Sequence, residues 1–404
     1  MAKKSIRDID VTGKRCLVRV DFNVPLDEKD GAMVITDDTR IKETLPTLKE
    51  LIARGARIIL CSHLGRPKGK PDPKQSLRPV AARLAEMLGV NVEFSDESTG
   101  AAAKAKALAL QNGGVLLLEN VRFHAGEEKN DEALSKAFAD LAEIYVNDAF
   151  GSAHRAHSST AGVAAFLPAV SGLLMEKEIT YLHDELENPE RPFVVILGGA
   201  KVNDKIEVIN RLLEKADTII IGGGMAYTFR KLVQGITLGK SLYKPEWEPI
   251  AQAALDKAEA RGVKFLIPVD CYVTDAFDFD AKKLGNIKLA SAGVGIEPEW
   301  EGVDIGPETV KLFSDEIAKA KTVIWNGPMG VFEIKEAAKG TFDIAHAIAA
   351  NQSAKTIIGG GDSVKAVKKA GVADKVTFIS TGGGASLELL EGKTLPGVAA
   401  LNDK

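Results

Sequence analysis

Two sets of residues in this 404-residue chain have the types and spacing to handle anionic groups. In the second half, short apolar runs end in glycines at 198–199, 222–224, 359–361 and 382–384. Runs of β-branched residues bounded by glycine read as buried parallel strands. Glycine at their ends lets the backbone take positive φ and approach a ligand closely. The helix that follows each turn directs unpaired N–H groups and a positive dipole end at the same place. Lys201 and Lys205 follow the first turn and Asp362 follows the third, types suited to phosphate and metal. Parallel strands deliver such turns to one sheet edge, so the pattern suits a large, multiply charged ligand such as a nucleotide.

The first half carries arginines at its strand ends instead. Arg19, Asp21 and Asn23 belong to the end of the run 15–20, His63 and Arg66 follow 57–61, and Arg122 follows 115–118. Arg155 lies in the loop 151–158, and Arg40 begins a helical stretch. Guanidinium groups make planar, bidentate contacts with carboxylate and phosphate. A set of them at strand exits predicts a basic basin for a compact polyanionic substrate. His63, His154 and His157 read either as acid/base groups or as hydrogen-bonding loop residues; the second reading suits His154 and His157 better. No Ser–His–Asp arrangement, zinc-ligand spacing or convincing carboxylate pair accompanies them. The dinucleotide fingerprint Gly-x-Gly-x-x-Gly is absent, and the P-loop-like stretch 235–241 is one residue short.

The elements that position these residues alternate between strand and helix. Strand signals lie at 15–20, 57–61, 91–94, 115–118 and 144–146, with helical periodicity at 39–54, 73–88, 101–111 and 132–142. Pro46 falls inside the first helical stretch and predicts a kink or a late start there. Residues 171–186 read as one serine-capped helix joining two halves, after which the rhythm resumes with strands at 264–267 and 322–325 as well as the glycine-ended runs. The expected fold is α/β: two doubly wound domains, each with a mostly parallel sheet flanked by helices, joined by a hinge helix. Expected bounds are 1–170, 171–188 for the helix and 189–389, with the tail 390–404 packing back on the first domain.

Composition agrees: 45% apolar and 27% charged residues are those of a globular protein long enough for two cores. A net charge of −4 argues against a general nucleic-acid binder. Three scattered cysteines imply no disulfide framework and a reducing cytoplasm, and neither a secretory leader nor a membrane-length apolar run is apparent. A hinged solute-binding protein is the competing class; it leaves Asp362 and the paired lysines without a role.

Six stretches, in order and nearly end to end, resemble the signature motifs of the phosphoglycerate kinase family: VRVDFNVP at 18–25, SHLGRP at 62–67, LENVRFH at 118–124, GGAKVNDK at 198–205, WNGPMGVFE at 325–333 and TGGGAS at 381–386. The resemblance implies a monomeric, cytoplasmic, hinge-bending kinase of glycolysis. It transfers a phosphoryl group between 1,3-bisphosphoglycerate and MgADP, giving 3-phosphoglycerate and MgATP. By position it implies that Asp21, Asn23, His63, Arg66, Arg122 and Arg155 hold phosphoglycerate, and that Arg40 and Lys201 neutralise the moving group. It further implies Lys205 and the Gly360, Gly361 and Ser363 turn on the nucleotide phosphates, with Gly199 beside them. Asp362 would hold Mg²⁺, Glu333 the ribose hydroxyls, and Gly302 and Asn326 would line the nucleotide pocket. Ser363 stands where threonine is frequent, which keeps the hydroxyl.

Overall fold

The computed structural model describes residues 2–404, and the chain divides into two units: Met1–Thr180 with Lys393–Lys404, and Tyr181–Gly392. In the first unit, six parallel strands run β1 (Arg15–Arg19), β2 (Arg57–Cys61), β3 (Val92–Ser95), β4 (Val115–Leu118), β5 (Ile144–Asn147) and β6 (Ala169–Ser171). Their order across the sheet is β3-β4-β2-β1-β5-β6. The sheet grows from β1 in both directions, which puts a crevice outside the carboxyl ends of β1 and β5. Strands such as β4 and β5 are buried along their whole length, as continuous apolar runs between two helical layers should be. The helix Thr39–Ala53 begins at Thr39 despite Pro46, and buries Ile41, Leu48 and Leu51 against the core. Residues 393–404 pack in this unit, where the Gly397 N–H donates to Ala153 O at 2.8 Å and the Asn402 N–H to Ala169 O at 2.9 Å.

The serine-capped helix expected at 171–186 is not there as such. Ser171 ends β6, and a helix runs only from Leu173 to Ile179, followed by a π turn, Thr180–Asp184, and a short helix, Glu185–Glu187. Its cap is Asp148, whose Oδ1 accepts from the Leu174 N–H at 2.9 Å. A carboxyl group 26 residues earlier in the chain does the work assigned to a neighbouring serine.

The second unit repeats the design with β7 (Phe193–Leu197), β8 (Thr218–Ile221), β9 (Lys264–Leu266), β10 (Thr322–Asn326), β11 (Lys355–Gly359) and β12 (Phe378–Ile379). The order is β9-β8-β7-β10-β11-β12, all parallel, with the reversal between β7 and β10. Val194, Ile196, Val323, Trp325 and Ile358 pack against Phe313, Ile344 and Ile348. Three antiparallel features were not anticipated from the sequence. One is a sheet of Cys271–Thr274 between Ile287–Ala290 and Glu301–Ile305, a second is the short pair Phe277–Asp278 with Lys283–Leu284, and the third is a hairpin of Leu26–Lys29 with Ala32–Ile35 in the first unit. No helix among the described residues is long and apolar enough to cross a membrane.

Candidate functional site

In the first unit, the residues expected at the strand exits are joined by a hydrogen-bonded frame. Asp21 Oδ1 accepts from Arg40 Nη1 at 2.6 Å, and Oδ2 from the Ser152 hydroxyl at 3.4 Å. Burial works against ionisation of Asp21, yet His63, Arg40 and Arg19 around it hold its carboxyl well below the usual range. Asn23 Oδ1 accepts from the Gly65 N–H at 2.9 Å, while Arg122 Nη1 donates to Gly65 O at 2.8 Å. The loop that carries His63 and Arg66 is thereby gripped from both sides. Arg66 is exposed and has no carboxylate partner among the described residues. The side chain of Arg155, also exposed, has among the described residues only the ring of His154, at 3.2 Å from its Nε.

Arg19 departs from expectation. It is wholly buried and lines no basin. Its Nη1 donates to Val20 O at 2.6 Å, its Nε to Ser159 Oγ at 3.0 Å, and its Nη2 meets His63 Nδ1 at 3.2 Å. A guanidinium only donates, so His63 Nδ1 accepts and the ring proton sits on Nε2. Burial, with Arg19, Arg122 and Arg40 close by, pushes the His63 ring well below its ordinary range against the opposing pull of Asp21. His63 is therefore a neutral donor. His157 is likewise lowered to about 4, first by burial and then by Arg122, Arg19 and Arg155, which favours the loop reading for it. Burial also lowers Arg122, whose Nε lies 3.4 Å from the Glu128 carboxylate, and the charges of Arg19 and Arg155 add to the effect. Glu127 and Ser159, which no motif marked, lie beneath this cluster. Burial raises the Glu127 carboxyl, while Arg19 and two bonds from Ser159 oppose the rise.

In the second unit the glycines fall into two classes. Gly198 and Gly223 allow loops to pack on one another: a Cβ on Gly198 would lie 2.0 Å from Pro328 O, and one on Gly223 would lie 2.7 Å from the Gly199 backbone. Gly361 and Gly383 face open space, where a Cβ would meet nothing within 4 Å. The helix Gly361–Lys369 starts after Gly360, at φ 81°, without a side-chain cap, so its first N–H groups lack intrahelical partners. Ser363 is buried, and its hydroxyl accepts from the Gly327 N–H at 2.6 Å, leaving its proton free to donate. Lys205 Nζ donates to Asn326 Oδ1 at 2.5 Å, and burial pushes the Lys205 ammonium below its ordinary range. Lys201 is exposed, with no ion pair among the described residues. Glu333 is half-buried between Phe332 and Ile334. Gly302 sits in the antiparallel sheet, where a side chain would strike the Tyr227 hydroxyl at 1.7 Å.

Asp362 is exposed and lies 3.2 Å from Lys365 Nζ. No group of three metal-ligating side chains exists among the described residues. A lone carboxylate beside a phosphate-ready turn fits Mg²⁺ shared with nucleotide phosphates and water, the usual arrangement for that ion.

Comparison with known proteins bears on this geometry. A family model described as phosphoglycerate kinase matches residues 6–393. The chain is 57% identical to a phosphoglycerate kinase of Koribacter versatilis and 56% identical to one of Chloroflexus aggregans, with all of each chain covered. Among solved structures, a phosphoglycerate kinase from Coxiella burnetii is similar at TM-score 0.89 and 40% identity, over 98% of both chains. One from Pyrococcus horikoshii is similar at TM-score 0.78 and 34% identity, again over 98% of both.

Proposed function

The chain belongs to the phosphoglycerate kinase family and moves a phosphoryl group reversibly between 1,3-bisphosphoglycerate and ADP; from that premise we propose how its residues divide the work. Asp21, Asn23, His63, Arg66, Arg122 and Arg155 hold phosphoglycerate in the first unit. Gly199, Lys205, Gly302, Asn326, Glu333, Gly360, Gly361 and Ser363 hold ADP or ATP in the second. Asp362 would hold Mg²⁺, which would draw charge from the phosphate oxygens. Arg40 and Lys201 neutralise the transferring group when the two units close on their substrates.

The chemistry asks for little more. In the ATP-consuming direction the acceptor is a carboxylate, ionised at neutral pH because its unperturbed pKa is about 4. No general base is needed, in keeping with a His63 that offers only a donor. Catalysis then rests on alignment and charge neutralisation, and on keeping water from a labile acyl phosphate. The reading extends to a cytoplasmic monomer without nucleic-acid or membrane partners; three free, buried cysteines and the net charge of −4 support it.

The observation that carries the division is that Arg66 and Arg155 are exposed and have no carboxylate partner among the described residues, with Arg155 close enough to Arg122 to act on its charge. Such groups call for an anion. The test is calorimetric titration of each ligand separately with wild type and Arg66→Ala at two ionic strengths. Arg66→Ala should lose 3-phosphoglycerate affinity, with a smaller loss at high salt, and keep its affinity for MgADP. Equal weakening of both ligands would overturn the division. Turnover of 3-phosphoglycerate and ATP in a coupled assay separates the enzyme from a hinged anion-binding protein.

A further inference from the structure

Ser159 is buried in the first unit, and its polar atoms are all committed. Its N–H donates to Glu127 Oε2 at 3.0 Å and its hydroxyl to Oε1 of the same carboxyl group at 2.6 Å. Its carbonyl accepts from the Tyr145 hydroxyl at 2.8 Å, and its Oγ accepts from Arg19 Nε at 3.0 Å. Arg19 in turn spends Nη1 on Val20 O and Nη2 on His63 Nδ1. Because a guanidinium has donors only, the direction of each bond in this series is set.

We propose that Glu127, acting through Ser159 and Arg19, is a positioning residue that holds His63 as the neutral Nε2–H tautomer, so that the ring offers phosphoglycerate oxygens a donor and no base. The inference rests on the assignment of His63 to the phosphoglycerate site. Simple charge balance does not account for the arrangement. A direct ion pair between Glu127 and Arg19 would balance the charges equally well. The interposed hydroxyl, itself held at the N–H, carbonyl and Oγ, fixes the plane of the guanidinium and with it the aim of the Nη2–H. The other charged groups near His63 are Asp21, Arg40 and Arg122. Of these only Asp21 favours a second proton on the ring, and Arg40 already engages it. A ring kept neutral gives the same contact to the substrate across the working pH range.

The measurement is the ¹⁵N spectrum of the His63 side chain in the full-length protein, with and without 3-phosphoglycerate, paired with steady-state kinetics. Wild type should show a single Nε2–H tautomer between pH 6 and 8, on the order of one unit either side of neutrality. Ser159→Ala should show mixed tautomers and about a tenfold higher KM for 3-phosphoglycerate, in line with losing a bond to a charged group, with KM for ATP unchanged. Ser159→Thr, which keeps the hydroxyl, should restore the single tautomer. An Nδ1–H tautomer in wild type, or an unaltered His63 spectrum in folded Ser159→Ala, overturns the proposal. If Ser159→Ala does not fold, Arg19→Met, which leaves His63 Nδ1 no donor from this position, must release the tautomer, and failure to do so is equally fatal. A wild-type Nε2–H signal that ignores 3-phosphoglycerate would instead overturn the placement of His63 in the substrate site.

Discussion

Lys205 Nζ donates to the side-chain oxygen of Asn326 at 2.5 Å, while the buried amide nitrogen of Asn326 has no partner among the described residues. The carboxamide thus aims one end at a desolvated ammonium and keeps two donors unspent. Both are suited to an anionic ligand. A hydrogen bond to a charged group contributes about 1.5–3 kcal/mol, so Asn326→Ala should raise the Kd for ADP roughly tenfold. Calorimetry reads this directly, and an unchanged Kd removes Asn326 from the nucleotide pocket.

Lys201 follows the Gly199 turn, exposed and unpaired among the described residues. A charge that meets the phosphoryl group mainly in transit acts on turnover rather than binding. Lys201→Ala should lower kcat about a hundredfold or more, as loss of one preorganised stabiliser does. Near-normal kcat with a raised KM for nucleotide would mean that Lys201 grips only the ground state.

For Asp362 the expectation is conditional on metal. Its surface pair with Lys365 stabilises the fold by about 0–1 kcal/mol at most, so Asp362→Asn should melt within a few degrees of wild type. ADP binding by the variant should be weakened in magnesium and nearly unaffected in EDTA. Equal losses in both would make the residue a structural element of the helix start.

Asp148 links stability to pH. Burial pushes its carboxyl up to about 7, against the Thr47 hydroxyl and the N–H groups of Met175 and Leu174. The folded state therefore binds this proton more tightly than the unfolded chain. The group's contribution is fully present below the unfolded value of 3.8 and is lost as pH rises to about 7. Among the described residues its Oδ2 has no hydrogen-bond partner, so an amide there breaks no bond. Asp148→Asn should flatten the fall in stability between these pH values and be as stable as wild type, or more so, at pH 8, about one unit above the native titration. Chemical denaturation across pH measures it; a large loss at pH 8 would show that the native carboxylate is ionised and stabilising.

Local signals account for what was legible. Strands β4, β7 and β10 are runs of apolar residues long enough to be buried on both faces, and no partner need be known to read them. The turn at Asp30 and Gly31, with φ of 51° and 77°, carries the residue pair that a tight hairpin prefers. It too was there to be read, although its first flank, Leu26–Lys29, lacks alternation. The antiparallel sheet around Cys271–Thr274 was harder, because a register shift between Tyr272 and Val273 breaks the period of two.

By itself, then, the sequence determined the two parallel sheets, the edge at which their loops gather, and the kinase family through its ordered motifs. All of these depend on periodicity and on residue types close together in the chain. Only the tertiary structure decided which residues meet across long separations. It turned Arg19 inward, because a loop carrying Ser159 returns 140 residues later to receive its Nε. It capped the helix at Leu173 with Asp148 rather than Ser171, and it separated the glycines that let backbones touch, Gly198 and Gly223, from Gly361 and Gly383, which lie open. A residue type states what a side chain can donate, accept or leave room for. Its partner is set only when folding brings distant segments within a few ångströms, where a buried polar group without a partner costs about 1–3 kcal/mol.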